Sequence, residues 1–541
     1  MTPTAPASAA APELRFLLSV PLSGIRSRAW LLTLLACGEE GEERALASPT
    51  APPSRLAAGP ALTRLSLDLL GRRPSPAALA VVDEDAVAAA LKQAADDPAL
   101  GRRAAWLWNE ALHLAAWRDD LSRLSTLDPG TMRSLAWEPL AGIEAIVNED
   151  RPFTDILTAA EWPANATVAT LWGLEHTAEG EGWAWTAYAD GRPLAGLLST
   201  NGLWMRHQAD QTNFHRRRAN MLARVFLCAD FFEREVDFAV DEVLGDADVE
   251  RAVRDVGACA SCHSALDPLA GFLGGFSERS EPVDLASAGR YSPWLADWAA
   301  ARSPPAYFGN PGADVADLGR QLAADPRFPR CVARRAYESL TESSFDSAPE
   351  REALVTTFVE SGMRWDALAV AVVETEAWRA EGSRRLSADQ VAVSVTEALG
   401  LPAELTGVWV GLEDVLLDGE LRRLAGDSDD VDALVRVRAA APGQLLAAEW
   451  VSRVAVPDAL ALDLLREPEE RLLLPADPFT TDESVVRAQL ANLTTRLLGR
   501  TVVPGSSAEE RLVELWLLAD ENDRWGEVVE ALLRHPEAGL H

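Results

Sequence analysis

A mainly α protein built from several helical units is the fold class that this 541-residue sequence predicts. Three observations carry it. Beyond residue 60, apolar residues recur every three or four positions, as in "LTRLSLDLLGRRPSPAALAVV" and from Glu352 to Gly362, which places them on one helical face. Strand-like alternation is scarce: "ATVATLWGLEHT" and "GWAWTAYADGRP" are the best cases, enough for one small β-hairpin between residues 165 and 192. The chain also exceeds the roughly 100 to 200 residues of one domain, so about three or four units are expected.

In chain order, Arg26 and Arg28 precede an apolar run from Ala29 to Ala36. The run is shorter than the ~20 residues a membrane-spanning helix needs, but suits the apolar region of an export signal. It closes on Leu34-Leu35-Ala36-Cys37-Gly38, which resembles a bacterial lipobox, so residues 1–37 read as a signal peptide with Cys37 as the lipidation site. An upstream apolar patch, "LRFLLSVPL", is accounted for by translation starting near Val20. The expectation is an exported protein on the periplasmic side of a bacterial membrane or at the cell surface. Because Gly38 rather than an acid follows Cys37, it reads as an outer-membrane lipoprotein held to the membrane only by its N-terminal lipid anchor. Residues 38–60, "GEEGEERALASPTAPPSRLAAGP", are acidic and rich in Pro and Ala, a composition for a flexible tether.

An N-terminal helical unit is expected over 61–160, a central region over 161–285, a further helical unit over 286–384 and a C-terminal helical domain over 385–541. Weak internal similarity links them. Leu69-Leu70-Gly71-Arg72, with Pro74 and Pro76, recurs as Leu497-Leu498-Gly499-Arg500 with Pro504, and more loosely from Ala336. The helices that follow, "AVAAALKQAADDPAL", "WDALAVAVVETEAW" and "WGEVVEALLRHPEA", share their apolar spacing. A repeating helix, Gly-Arg stop, Pro-started helix and third helix would produce this, as would convergent amphipathicity.

A net charge of −33 repels a phosphate backbone and argues against nucleic-acid binding. The acids Asp246, Asp248 and Glu250 read as a solvated face, and most of the 18 Trp as core. No Ser-His-Asp order, phosphate-cradling Gly loop or HExxH pattern is present.

The chemistry concentrates in Cys259-Ala260-Ser261-Cys262-His263. With five Cys and seven His in the chain, composition alone predicts such a cluster roughly 0.0006 times. Two thiols three apart on a helical turn can each add to a haem vinyl group, and the adjacent His then reaches the iron. Cys259 and Cys262 are thus expected as thioether positions of a covalent haem c, and His263 as its proximal ligand, oriented by a backbone carbonyl near Asp267-Pro268. A zinc site, a thioredoxin-like redox pair and a haem-free disulfide are the competing readings of the cluster. Setting Cys37 aside, Cys228 and Cys331 remain as an even pair: a structural disulfide in an oxidising compartment, or two buried thiols. His113 and His176 read as satisfied structural histidines, and His535 and His541 as solvated.

"LTRLSLDLLGRRPSPAAL", "GLLSTNGLWMRHQADQTNFHRRRANMLARVFLC", "CASCHSALDPLAGF", "DLGRQLAADPRFPRCVARRAYESL" and "RRLSADQVAVSVTEALGLP" resemble, in this order, segments of planctomycete-type cytochrome-associated exported proteins. The chain departs from them after Gly271-Phe272, where a Glu-x-Phe-Asp run is replaced by "LGGFSERS". The resemblance implies a cytochrome c-like haem segment and ties the stretch before it to the haem. His207, Met205, His215 and Met221 are therefore the distal-ligand candidates, His207 first, beside an open or water-bound position. The function expected is an exported, lipid-anchored monohaem cytochrome relaying single electrons to a redox partner protein. A haem enzyme with an open distal site, and a helical cell-surface interaction protein with a vestigial Cys-x-x-Cys-His, are the alternatives.

Overall fold

The computed structural model describes residues 54–115, 128–178, 180, 182–209, 214–231, 257–277, 290–401 and 442–540. The signal segment with Cys37, the acids Asp246, Asp248 and Glu250, and His541 lie outside the described residues.

The architecture is mainly helical. The first unit comprises α1 (Ala58–Leu70), α2 (Glu84–Ala95) and α3 (Ala99–Leu112). α1 stops at Gly71, whose φ of 70° lies in the left-handed region that glycine enters without a Cβ clash. Asp83 starts α2 by accepting a hydrogen bond from the Ala86 N–H at 2.8 Å. α4 (Pro129–Asn148) packs along α3. β1 (Trp162–Ala164) and β2 (Ala184–Thr186) pair antiparallel, with Pro163 opposite Trp185. Then follow α5 (Asn201–Arg206), α6 (Arg216–Leu227), α7 (Gly257–Gly271) and α8 (Pro293–Arg302). A two-residue ribbon, β3 (Ala306–Tyr307) with β4 (Asn310–Pro311), leads into α9 (Val315–Ala324), α10 (Arg327–Thr341), α11 (Arg351–Glu360) and α12 (Trp365–Val373). The C-terminal helices are α13 (Ala388–Leu399), α14 (Pro442–Leu464), α15 (Glu483–Leu498), α16 (Ser507–Leu518) and α17 (Arg524–Arg534).

Two expectations change. The strand pairing around 165–192 exists, but "ATVATLW" is not in it: Ala166–Trp172 is a helix, started by the Asn165 side chain accepting from the Val168 N–H at 2.9 Å. The strand is the three residues before that cap, so the pair is no simple hairpin. The tether also ends before residue 60. The Leu56 N–H donates to the Arg379 carbonyl at 2.9 Å, Arg55 bridges Ala380, and α1 begins at Ala58.

That edge contact has a counterpart. Arg385 bridges Leu540 and the Leu386 N–H donates to the Gly539 carbonyl at 2.9 Å, again just before a helix, α13, that stops at a left-handed glycine, Gly400. α1, α10 and α15 likewise each end on a left-handed residue and lead into further helices, Gly71 and Gly499 in two units and Glu342 (φ 55°) in the third. The recurrence extends from sequence to backbone conformation and to the way the N-terminal edge of each half is fastened.

Buried residues from Ala61 to Leu533 form one continuous core. At its centre the Trp108 ring lies 5.2 Å from Phe153, 6.0 Å from Phe226 and 6.3 Å from Trp365, tying α3, α6 and α12 together. Buried arginines stitch distant segments through backbone carbonyls: Arg64 on α1 donates to Trp378 and Ala380, each at 2.9 Å.

Candidate functional site

α7 carries the Cys-x-x-Cys-His cluster. Three residues of helix put Cys259 and Cys262 about 60° apart around the axis, so their side chains leave from neighbouring lines of one face. Both are free thiols, half-buried, and not joined to each other. Cys262 packs against the core, with Sγ 3.9 Å from the Phe231 carbonyl oxygen.

His263 Nδ1 lies 3.0 Å from Asp267 Oδ1, one helical turn on. The orienting group is therefore this carboxylate, not a backbone carbonyl. Pro268 also makes no turn, because it lies inside α7. A carboxylate only accepts, so the ring proton sits on Nδ1 and the lone pair on Nε2. Asp267 is itself held. Arg216 Nε donates to its Oδ1 and Arg216 Nη2 to its Oδ2 at 3.3 Å, while Ser303 Oγ donates to its backbone carbonyl at 2.9 Å. Ser303 can do this because the chain beyond α7 lies flat on α8: a Cβ on Gly274 would sit 2.0 Å from the Ala299 Cβ.

Arg216 is the first residue of α6, and α6 is pinned at both ends. At its start Phe214 and His215 take φ of 44° and 59°, two successive left-handed conformations that L side chains adopt only when their surroundings impose them. Arg218, 1% exposed, ties this start to its surroundings: Nε donates to the His207 carbonyl at 2.7 Å, Nη2 to the Trp204 and Ser277 carbonyls at 3.1 and 3.0 Å, and Nη1 to His215 Nδ1 at 3.0 Å. At its end Arg335 donates to the carbonyls of Val225 and Arg224, at 2.8 and 2.7 Å. There Cys228, the C-cap, forms a disulfide with the buried Cys331 of α10, Cα to Cα 5.4 Å.

The distal candidates have other attachments. Met205 packs with Leu135 and Ala136. Met221 is buried in the main core on α6. His207 Nε2 lies 2.9 Å from the Leu112 carbonyl oxygen, so that nitrogen carries the proton. His215 Nδ1 accepts from Arg218, which puts the proton on Nε2 and leaves that ring no lone pair to offer an iron. His535, expected in solvent, has only 12% of its side chain exposed and accepts from the Glu537 N–H at 3.2 Å. His176, expected to be satisfied, has both ring nitrogens buried without a hydrogen-bond partner.

Burial, reinforced by Arg218, pushes the His215 pKa down to about 3, and burial pushes His207 well below its usual range. A depressed histidine binds its proton more readily unfolded than folded. Its stabilising contribution is therefore complete above about pH 6.5 and lost as pH falls toward 3, by about 1.4 kcal/mol per unit. Glu138, raised by burial, acts in the opposite sense. Guanidinium unfolding should show a lower midpoint at pH 5.0 than at pH 7.5, with the gap narrowed in His215→Gln; a gap unchanged in that variant would remove His215 from the account.

Sequence reasoning missed Asp267 as a side chain, and missed Arg216 and Arg218 altogether. The i, i+4 spacing of His263 and Asp267 on a helix was a usable signal. Nothing local points from "HRRRA" to a carboxylate 51 residues away.

Among the described residues, no group of three or more His, Cys, Asp or Glu side chains is arranged to hold a metal ion, and a zinc site at the cluster finds no ligand set there. Among the described residues no helix is long and apolar enough to cross a membrane. No family model, curated protein or solved structure matches the chain.

Proposed function

We propose that this chain is an exported, lipid-anchored c-type cytochrome protein carrying one covalent haem and relaying single electrons to a redox partner protein. The observation that carries the reading is the donor set of α7: two free, half-buried thiols one turn apart, followed by an imidazole whose Nδ1 is engaged by Asp267. In this reading Cys259 and Cys262 would hold the haem covalently and His263 would offer its Nε2 to the iron. A bound haem supplies reversible one-electron chemistry at its iron. Asp267, braced by Arg216, holds the ring of His263 at one angle. The Cys228–Cys331 disulfide supports the oxidising compartment that the signal and Cys37 imply.

The deciding experiment is a haem stain of the denatured protein, produced with export and cytochrome c maturation. Covalent haem is expected in the wild type and absent in Cys259→Ala/Cys262→Ala. A wild type without haem sinks the proposal and leaves a binding protein with a vestigial cluster.

One observation favours a second reading, a haem enzyme with an open distal position. A carboxylate on the proximal ring strengthens the ligand, and the lone pair of His215 is already engaged. Asp267→Asn is expected to raise the reduction potential by roughly 60 mV, a tenfold change in a one-electron equilibrium. Spectroelectrochemical titration reads this directly, and an unchanged potential would show that Asp267 does not tune the site. Addition of CO to the reduced protein separates the readings: a spectral change marks an open position, none a sealed relay.

A further inference from the structure

Where the first unit meets the C-terminal helices there is a cavity of about 530 Å³, the size of a small-molecule site. Its walls come from α1, the Arg72–Pro76 turn, α2, α13 and α15. The turn is locked to the far wall: Arg73 donates to the Leu498 carbonyl at 3.0 Å and to the Ala538 carbonyl at 2.9 Å, and Thr63 Oγ1 donates to the Gly499 carbonyl at 3.0 Å. Leu62, Leu65, Ala94 and Ala398 make much of the lining apolar.

Two ionisable side chains of opposite sign stay open to this space. Arg72, with 40% of its side chain exposed, gives Nη2 to Asp97 at 2.7 Å, and among the described residues nothing accepts from its Nε and Nη1. Glu397, an exposed residue of α13 on the cavity wall, makes neither a hydrogen bond nor an ion pair among the described residues. The Arg72 charge reaches the Glu397 carboxyl, yet the two form no ion pair with each other. Burial pushes that carboxyl upward while Arg72 draws it down, so a further cation placed beside it is favourable. The remaining charges are engaged elsewhere. Arg496 faces Asp463, itself paired with Arg466, and Arg73 faces Glu537, itself paired with Arg500. The second carboxylate oxygen of Asp97 accepts from the Ala99 N–H at 2.9 Å. What the cavity offers is one guanidinium edge that donates and one carboxylate that accepts, set apart from each other beside an apolar wall.

We propose that this cavity binds an α-amino acid with a large apolar side chain, its carboxylate accepting from the free edge of Arg72, its ammonium donating to Glu397 and its side chain lying against Leu62, Leu65 and Ala398. A planar guanidinium matches a carboxylate, and a zwitterion answers both groups at once. A monoanion would leave Glu397 without a partner, and a monocation would leave the edge of Arg72 without one. The site is independent of the haem reading.

The test is calorimetric titration of the full chain with L-phenylalanine, with 3-phenylpropanoate, which lacks the ammonium, and with 2-phenylethylammonium, which lacks the carboxylate. Saturable phenylalanine binding is expected, at least tenfold tighter than either analogue. Glu397→Gln should weaken phenylalanine at least tenfold and leave 3-phenylpropanoate unchanged, and Arg72→Gln should weaken it as much and leave 2-phenylethylammonium unchanged. No saturable phenylalanine binding, an analogue that binds as tightly, or unchanged phenylalanine affinity in either variant would overturn the proposal. If a variant does not fold, the three wild-type titrations decide.

Discussion

Replacing Cys228 and Cys331 together by alanine should lower the free energy of unfolding by about 4 to 5 kcal/mol, the chain-entropy value for a loop of roughly 100 residues. The bond joins residues 103 apart, so without it the unfolded chain regains the freedom of that whole loop. The loss also acts on the site. Cys228 is the left-handed C-cap of α6, and the first residue of α6 is the Arg216 that braces Asp267. Guanidinium unfolding of the oxidised wild type and the double variant measures the difference. A change below about 1 kcal/mol would mean that the Arg335 contacts to Arg224 and Val225 hold the end of α6 without the bond.

Arg218→Met should be nearly as costly, about 3 to 5 kcal/mol. The methionine fills much of the volume but donates nothing. The carbonyls of Trp204, His207 and Ser277 and Nδ1 of His215 would lose their donor in a water-excluded place, and each buried acceptor left unsatisfied costs about 1–3 kcal/mol before relaxation. Arg218→Lys cannot rescue it, because one ammonium cannot span acceptors that a planar fork reaches on separate segments. The guanidinium midpoint gives the answer, and a lysine variant as stable as wild type would show that charge rather than the fork matters.

The two variants mark how far the sequence could be read. The three-and-four spacing made the helices legible because amphipathicity is written residue by residue into a chain. Gly71 and Gly499 were legible as stops because a left-handed backbone conformation favours glycine wherever it occurs. Glu342 performs the same stop without that signature, its N–H closing α10 on the Glu338 carbonyl at 3.1 Å. The strand at Trp162–Ala164 was misplaced because Asn165 converts an alternating sequence into a helix, a choice that one capping hydrogen bond settles.

By itself, then, the sequence determined the helical class, the glycine stops and the presence of two thiols and an imidazole on one turn, all of which depend on interactions within about four residues. Only the tertiary structure decided what surrounds them. It brought Arg216 to the Asp267 carboxylate beside His263 and set Arg218 against the carbonyls of Trp204, His207 and Ser277. Those outcomes turn on desolvation and on contacts between residues about ten to sixty apart. An arginine side chain reads the same in sequence whether its guanidinium finds a carboxylate, a ring of carbonyls or nothing.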